Sequence, residues 1–268
     1  MTQRSRLRLG TVATCSLFLG LLPACSQLLG GKAVIQQKRK FVVADAIPLH
    51  VALPTSSQRP YPYKVAVERF TVSRLYERNQ VIYRLSPEEI YDNSYLQWAN
   101  RPSDMITDAV EGYLRQSLLF KDVRQEFLEQ PDYTLSGTVK ALERIDSGDE
   151  WFAKMALTMQ LTDSNGVVVW HDEFGFDEPV QVYDGDFVHT VAKLNQMLHG
   201  YMVEAVWGID HKILLRKYKH DQKPIELINQ LIHEYEYRGT TIVNGDSLGI
   251  RRLVPSNDYR VIPGKPTP

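Results

Sequence analysis

Cysteine is scarce in this 268-residue chain, which holds only Cys15 and Cys25. Cys15 sits inside an apolar run near the N-terminus, Leu9–Leu22, and leaves with it if that run is a cleaved leader. A single thiol then remains, so a disulfide-stapled fold is excluded even in an oxidising compartment. Excess charge is missing too. A formal net charge of −1 offers no electrostatic footing for a nucleic acid. A phosphate-cradling glycine loop and H-E-x-x-H are absent, which removes the sequence signatures of P-loop nucleotide enzymes and zinc proteases. There is no repeat at a period of 20–50 residues. With 43% apolar and 24% charged residues, the composition is that of a folded protein rather than a disordered one.

What is present begins with a leader-like segment. Arg4, Arg6 and Arg8 precede Leu9–Leu22, a run too short to span a bilayer as a mature helix. Leu22-Pro23-Ala24-Cys25 resembles the bacterial lipobox. That resemblance implies a signal peptide over 1–24 and a diacylglycerol thioether plus an N-acyl chain on Cys25, and two or more acyl chains make anchoring stable. Losing three arginines and no acids takes the formal charge from −1 to −4. Ser26 follows the cysteine where an Asp would imply inner-membrane retention, so the lipoprotein resemblance implies the outer membrane. Residues 25–40 read as a lipidated tether, with Gly30-Gly31 supplying flexibility. The cluster Lys38-Arg39-Lys40 reads as a solvated strand flank, with contact to anionic lipid headgroups as the alternative.

The body of the chain alternates between the two periodicities. Phe41–Val43 is a candidate first strand, and Pro54–Pro62 a loop. Lys64–Ser73 alternates as a strand, with Val81–Leu85 as its expected antiparallel neighbour. An aromatic-dotted connection carrying Tyr91, Tyr95 and Trp98 leads to a helix over 102–119. Pro102 opens it where a missing N–H costs nothing, and Met105, Ile106, Ala109, Val110, Tyr113, Leu114 and Leu118 form one apolar stripe. Gly112 inside it predicts a tight contact between helix and sheet. Strands are expected over 121–127, 133–142, 151–162 and 167–176. Gly137 marks a bulge or close backbone approach, and Asn165-Gly166 is a hairpin turn. A second long helix over 187–217 buries Phe187, Val191, Leu194, Leu198, Tyr201, Ala205 and Ile209.

These elements predict an α+β two-layer sandwich: a mostly antiparallel sheet with two long helices packed on it. The domain is expected over 41–217. A C-terminal extension over 218–268 follows, with a helix opened by Pro224 and stopped by Gly239, a strand over 240–243, a turn at Asn244-Gly245 and a tail from Pro255 to Pro268.

Chemistry has few candidates. His171-Asp172-Glu173 sets three ligand types side by side, but strand neighbours face opposite ways, so only His171 and Glu173 converge, and two ligands do not make a zinc site. His189 and His199 fall nearly on one helix face without a further ligand. Asp184 and Asp186 read as a turn and a helix N-cap. No catalytic, cofactor-binding or metal-ligating residue emerges.

Tyr83-Arg84, Asp92, Tyr95, Trp98-Ala99, Pro102 and Met105, with Asp132-Tyr133-Thr134-Leu135-Ser136-Gly137 and Trp170, resemble the ABC-type transport auxiliary lipoproteins, the PqiC-like family. The resemblance covers about 41–215. It implies a non-catalytic outer-membrane adaptor, facing the periplasm, for a transporter carrying mammalian-cell-entry (MCE) domains that moves lipid or other hydrophobic molecules between the membranes. The implied partners are the MCE-domain protein and a separate permease and ATPase. Tyr91, Tyr95 and Trp98 are candidate partner contacts, because Trp and Tyr are enriched at such contacts, or else pack the connection onto the helix. The same segment is a candidate for self-association into a homo-oligomer. The alternative is an envelope-assembly lipoprotein, such as a peptidoglycan-synthase activator or a secretion-ring component.

Overall fold

In the computed structural model the described residues are 37–51, 53 and 59–244, which belong almost wholly to the second of the chain's two units, Lys38–Pro268. Cys25, most of the tether and the tail from Pro255 lie outside them. The strands are β1 (Arg39–Phe41), β2 (Tyr61–Val67), β3 (Thr71–Val72), β4 (Gln80–Arg84), β5 (Ile90–Trp98), β6 (Phe120–Arg124), β7 (Tyr133–Ser147), β8 (Glu150–Asp163), β9 (Val168–Phe174) and β10 (Val180–Val182). The helices are α1 (Pro102–Gln116), α2 (Phe187–His220) and α3 (Ile225–Asn244).

All ten strands join one sheet built around β7. One edge of β7 pairs antiparallel with β8 from Tyr133↔Asp163 to Ser147↔Glu150. The other edge is shared in turn by three short parallel strands: β2 at Tyr133–Leu135, β3 at Thr138–Val139 and β4 at Glu143–Ile145. The far edge of β8 is likewise divided, β10 taking Trp151–Ala153 and β9 the stretch Leu157–Thr162. The longest pairing is therefore antiparallel, as expected, but the sheet is mixed.

Two strand expectations need correction. Lys64–Ser73 is not one strand; it breaks at Glu68–Phe70. The Phe70 N–H donates to Thr107 Oγ1 on α1 (2.8 Å) instead of to a neighbouring strand, and the Phe70 ring occupies the space where Gly137 lacks a Cβ. Nor is β4 the neighbour of β2. Both lie parallel on β7, and the antiparallel partner of β4 is β5.

The helices bury the stripes that their spacing requires, except that α1 ends at Gln116 rather than 119 and leaves Leu118, expected in its stripe, past the helix end and exposed. Met105, Ile106, Ala109, Val110, Tyr113 and Leu114 of α1 are buried, as are Phe187, Val191, Leu194, Leu198, Tyr201, Ala205 and Ile209 of α2. Asp186 caps α2 by accepting from the Val188 N–H, satisfying one of the orphan donors of the first turn. Gly112 does not mark a tight contact between helix and sheet, since its missing Cβ makes room for the Asp45 side chain; such a contact occurs at Gly208, where a Cβ would stand 2.6 Å from Trp170 Nε1. α3 begins after Pro224 as expected, yet it runs through Gly239 and the expected strand over 240–243 to Asn244. A glycine within a helix costs only about 1 kcal/mol relative to alanine, too little to end a helix by itself.

Candidate partner-binding surface

The stretch read as a connection is a strand, β5, and the change decides which of its aromatics face outward. β5 pairs with β4 from Ile90↔Arg84 to Asn93↔Val81, then jumps to Gln97↔Gln80, so residues 94–96 bulge from the ladder. On its other side β1 covers only Leu96–Trp98. Among the described residues, the outer edge of Ile90–Tyr95 has no strand partner. Tyr91 is 53% exposed and Tyr95 42%. The Tyr95 N–H donates to Asn93 Oδ1 (2.9 Å), holding the bulge, and Arg78 lies 3.7 Å from Asp92 across the exposed face.

Trp98 is the correction. It is 2% exposed, its ring meets Phe187 of α2 edge-on at 5.8 Å, and its backbone N–H donates to the Asn79 carbonyl at 2.6 Å. The return of β5 to regular pairing beside β1 turns this ring into the core. The surface role proposed for the aromatic segment therefore falls to Tyr91 and Tyr95.

The polar candidates stay separate. His171 Nε2 and Glu173 Oε1 share a strand face at 3.9 Å, both exposed. Asp172 points the other way, and burial pushes its carboxyl pKa up. Among the described residues no three His, Cys, Asp or Glu side chains gather as a metal site. His189 pairs with Asp184 at 3.5 Å, while His199 lies against the Tyr113 ring, 5.8 Å between centroids. A shallow groove of about 250 Å³ on the sheet is lined by Arg69, Thr138, Thr158, Gln160 and His171 among others.

Three buried polar clusters escaped the sequence reading. Asp210 is fully buried in the apolar stripe of α2. Its Oδ1 accepts from Arg59 Nε (2.9 Å) and the Tyr61 hydroxyl (2.7 Å), and its Oδ2 from Arg59 Nη2 (2.5 Å) and the Tyr235 hydroxyl of α3. A desolvated charge is tolerable when its partner is bidentate and its remaining lone pairs are filled. Burial works against the Arg59 charge, but the bond to Asp210 outweighs it and raises the guanidinium pKa. Burial, and Asp210 beside it, drive the Tyr235 phenol far up. His211 stacks on the Tyr235 ring at 4.4 Å; burial pushes its pKa down to about 4, so the ring is neutral.

In the second cluster, buried Glu143 accepts from Arg84 Nε and the Tyr76 hydroxyl, both at 2.9 Å. In the third, Arg144 donates to Asp146 (2.5 Å) and to the Gly185 carbonyl (2.6 Å) while lying over the rings of Tyr83 and Trp151. An acid inside an apolar helical stripe was the visible signal for the first of these. These clusters join elements far apart in sequence.

Comparison with known proteins follows the fold. The family model described as the ABC-type transport auxiliary lipoprotein component matches residues 48–202. A crystal structure of a DUF330 protein from Xanthomonas campestris is similar, with TM-score 0.52 and 21% identity over 64% of this chain and 96% of that one. The structure of an uncharacterised protein is similar with TM-score 0.46 and 15% identity over 56% and 94%. A PelC dodecamer from Paraburkholderia phytofirmans gives TM-score 0.33 and 16% identity over 62% and 90%. No curated sequence matches.

Proposed function

Given that the chain belongs to the ABC-type transport auxiliary lipoprotein family, we propose that it is a lipid-anchored, non-catalytic adaptor at the outer membrane. In this reading it docks the periplasmic MCE-domain component of a transporter that moves lipids or other hydrophobic molecules between the membranes, and ATP hydrolysis belongs to a separate subunit. One observation supports the reading above the rest: within the family-matched region, the β5 edge carries two exposed tyrosines, Tyr91 and Tyr95, on a strand paired with β4 along one side and with β1 only at Leu96–Trp98. Rigid, amphipathic rings on a fixed scaffold give contact area at little entropic cost.

The test is co-purification of the MCE-domain protein with the lipidated chain, comparing wild type with Tyr91→Ala/Tyr95→Ala. The expected result is a loss of capture of at least about tenfold at an unchanged melting temperature. A stable double variant that captures the partner normally rules the β5 edge out, and a wild-type protein that captures no MCE component overturns the adaptor reading.

A further inference from the structure

The chain holds two Asn-Gly pairs, Asn165-Gly166 and Asn244-Gly245. The first lies in the exposed turn between β8 and β9. In such a pair the glycine nitrogen can close on the asparagine carboxamide, because no Cβ obstructs its approach. Gly166 has φ +78°, and beyond its chain neighbours no atom stands within 4 Å of the place a Cβ would take. Space therefore does not protect this turn.

What restrains it is a set of hydrogen bonds centred on Asp163. The Gly166 N–H donates to the Asp163 carbonyl at 2.8 Å. The N–H groups of Asn165 and Val167 donate to Asp163 Oδ1 at 2.9 and 3.0 Å. Oδ2 accepts from Arg216 Nη2 of α2 at 2.6 Å, so a helix far along the chain steadies the turn. Arg216, with the turn N–H groups beside it, holds the Asp163 carboxyl below the usual carboxylate range. To close the ring, the Gly166 nitrogen must swing toward Asn165 Cγ. That rotation takes its N–H off the Asp163 carbonyl.

We infer that Asn165-Gly166 is a site of spontaneous covalent modification whose rate is set by the ion pair between Asp163 and Arg216. The Gly166 nitrogen bonds to Asn165 Cγ and gives up its proton. The bond from Cγ to the amide nitrogen breaks, and ammonia leaves with that proton, closing a five-membered imide. Water, the one co-reactant, then opens the imide at either carbonyl. One opening gives aspartate; the other gives isoaspartate, whose main chain runs through the side-chain carbon. Isoaspartate lengthens the main chain by a methylene in a turn that sets strand register. β9 follows directly, and its Trp170 pairs with Leu161 and lies against Gly208 of α2. A change at the exposed turn thus reaches the contact between helix and sheet.

The experiment is peptide mapping of the mature protein after incubation at neutral and mildly alkaline pH. Mass spectrometry with fragmentation that separates isoaspartate from aspartate reads the site, and Asn244-Gly245 serves as the reference in every sample. Arg216→Gln should be modified at Asn165 about fivefold faster than wild type, as loss of a well-placed ion pair allows. Asp163→Ala also removes both turn bonds to Oδ1 and should exceed wild type by about tenfold or more. Asn165→Gln should abolish the signal. The rate at Asn244 should stay constant throughout, and the melting temperature of Arg216→Gln should match wild type. If Asp163→Ala does not fold, Arg216→Gln decides, since it leaves both turn bonds in place. Equal rates at Asn165 in wild type and Arg216→Gln would overturn the proposal. So would a rise matched at Asn244, or aspartate formed without isoaspartate.

Discussion

Tyr235 of α3 donates its hydroxyl to Asp210 of α2, so the C-terminal helix is fastened to the body by a bond to a fully buried carboxylate. The same carboxylate holds Arg59 and Tyr61 at the start of β2. Helix, helix and strand thus meet at one charge.

Removing a single bond at this point should differ from removing the charge. Tyr235→Phe leaves Asp210 three bonds and is expected to cost about 1–3 kcal/mol, with faster hydrogen exchange confined to α3. Asp210→Ala strands the Arg59 guanidinium and is expected to cost about 3–5 kcal/mol, read by urea denaturation. Equal costs for the two variants would mean that the carboxylate is not the organising group.

Leu114 of α1 and Leu198 of α2 are both fully buried in the core. Truncating either to alanine should cost about 2–5 kcal/mol, according to how far each site collapses around the cavity. A melting temperature unchanged in either variant would contradict the packing.

The aromatics of β5 should separate by variant. Trp98→Ala removes a ring packed against Phe187 and is expected to cost about 3–5 kcal/mol. Tyr91→Ala and Tyr95→Ala should stay within about 0.5 kcal/mol of wild type, as exposed substitutions usually do. Thermal melts of the three single variants check this directly.

His211 predicts an acid limb to stability. Its folded pKa, about 4, lies below the ordinary value of 6.5 because burial disfavours the charged ring; Lys212 adds to this and Asp210 opposes it. As pH falls below 6.5 the unfolded chain binds a proton that the folded chain refuses, so stability is lost between pH 6.5 and 4. The shift corresponds to about 3 kcal/mol at most. His211→Phe should flatten the stability profile over that window in denaturant titrations at pH 7, 6 and 5; an unchanged slope would count against a neutral buried ring.

Cys25→Ser should yield an unprocessed precursor or a mislocalised protein. Metabolic acyl labelling together with envelope fractionation measures both, and unaltered outer-membrane fractionation with no acyl label on the wild type would sink the anchor.

The sequence by itself determined whatever depends on neighbours within a turn or two. The stripes of α1 and α2, the Asp186 cap, the hairpin at Asn165-Gly166 and the β7–β8–β9 meander all follow from periodicity, local hydrogen bonding and short loops. The α+β class follows from their order.

Only the tertiary structure decided what depends on partners distant in sequence. Parallel pairing carries no local turn signal, so nothing in β2, β3 or β4 announced that all three would share one edge of β7. β5 read as a connection because its exposed residues lack alternation, and Trp98 could be turned inward only once Phe187, eighty-nine positions later, stood beneath it. The Asp210 charge is tolerable only because Arg59, Tyr61 and Tyr235 converge on it from separate elements. Burying an ion is expensive until the last partner is in place, and that convergence exists only in the assembled fold.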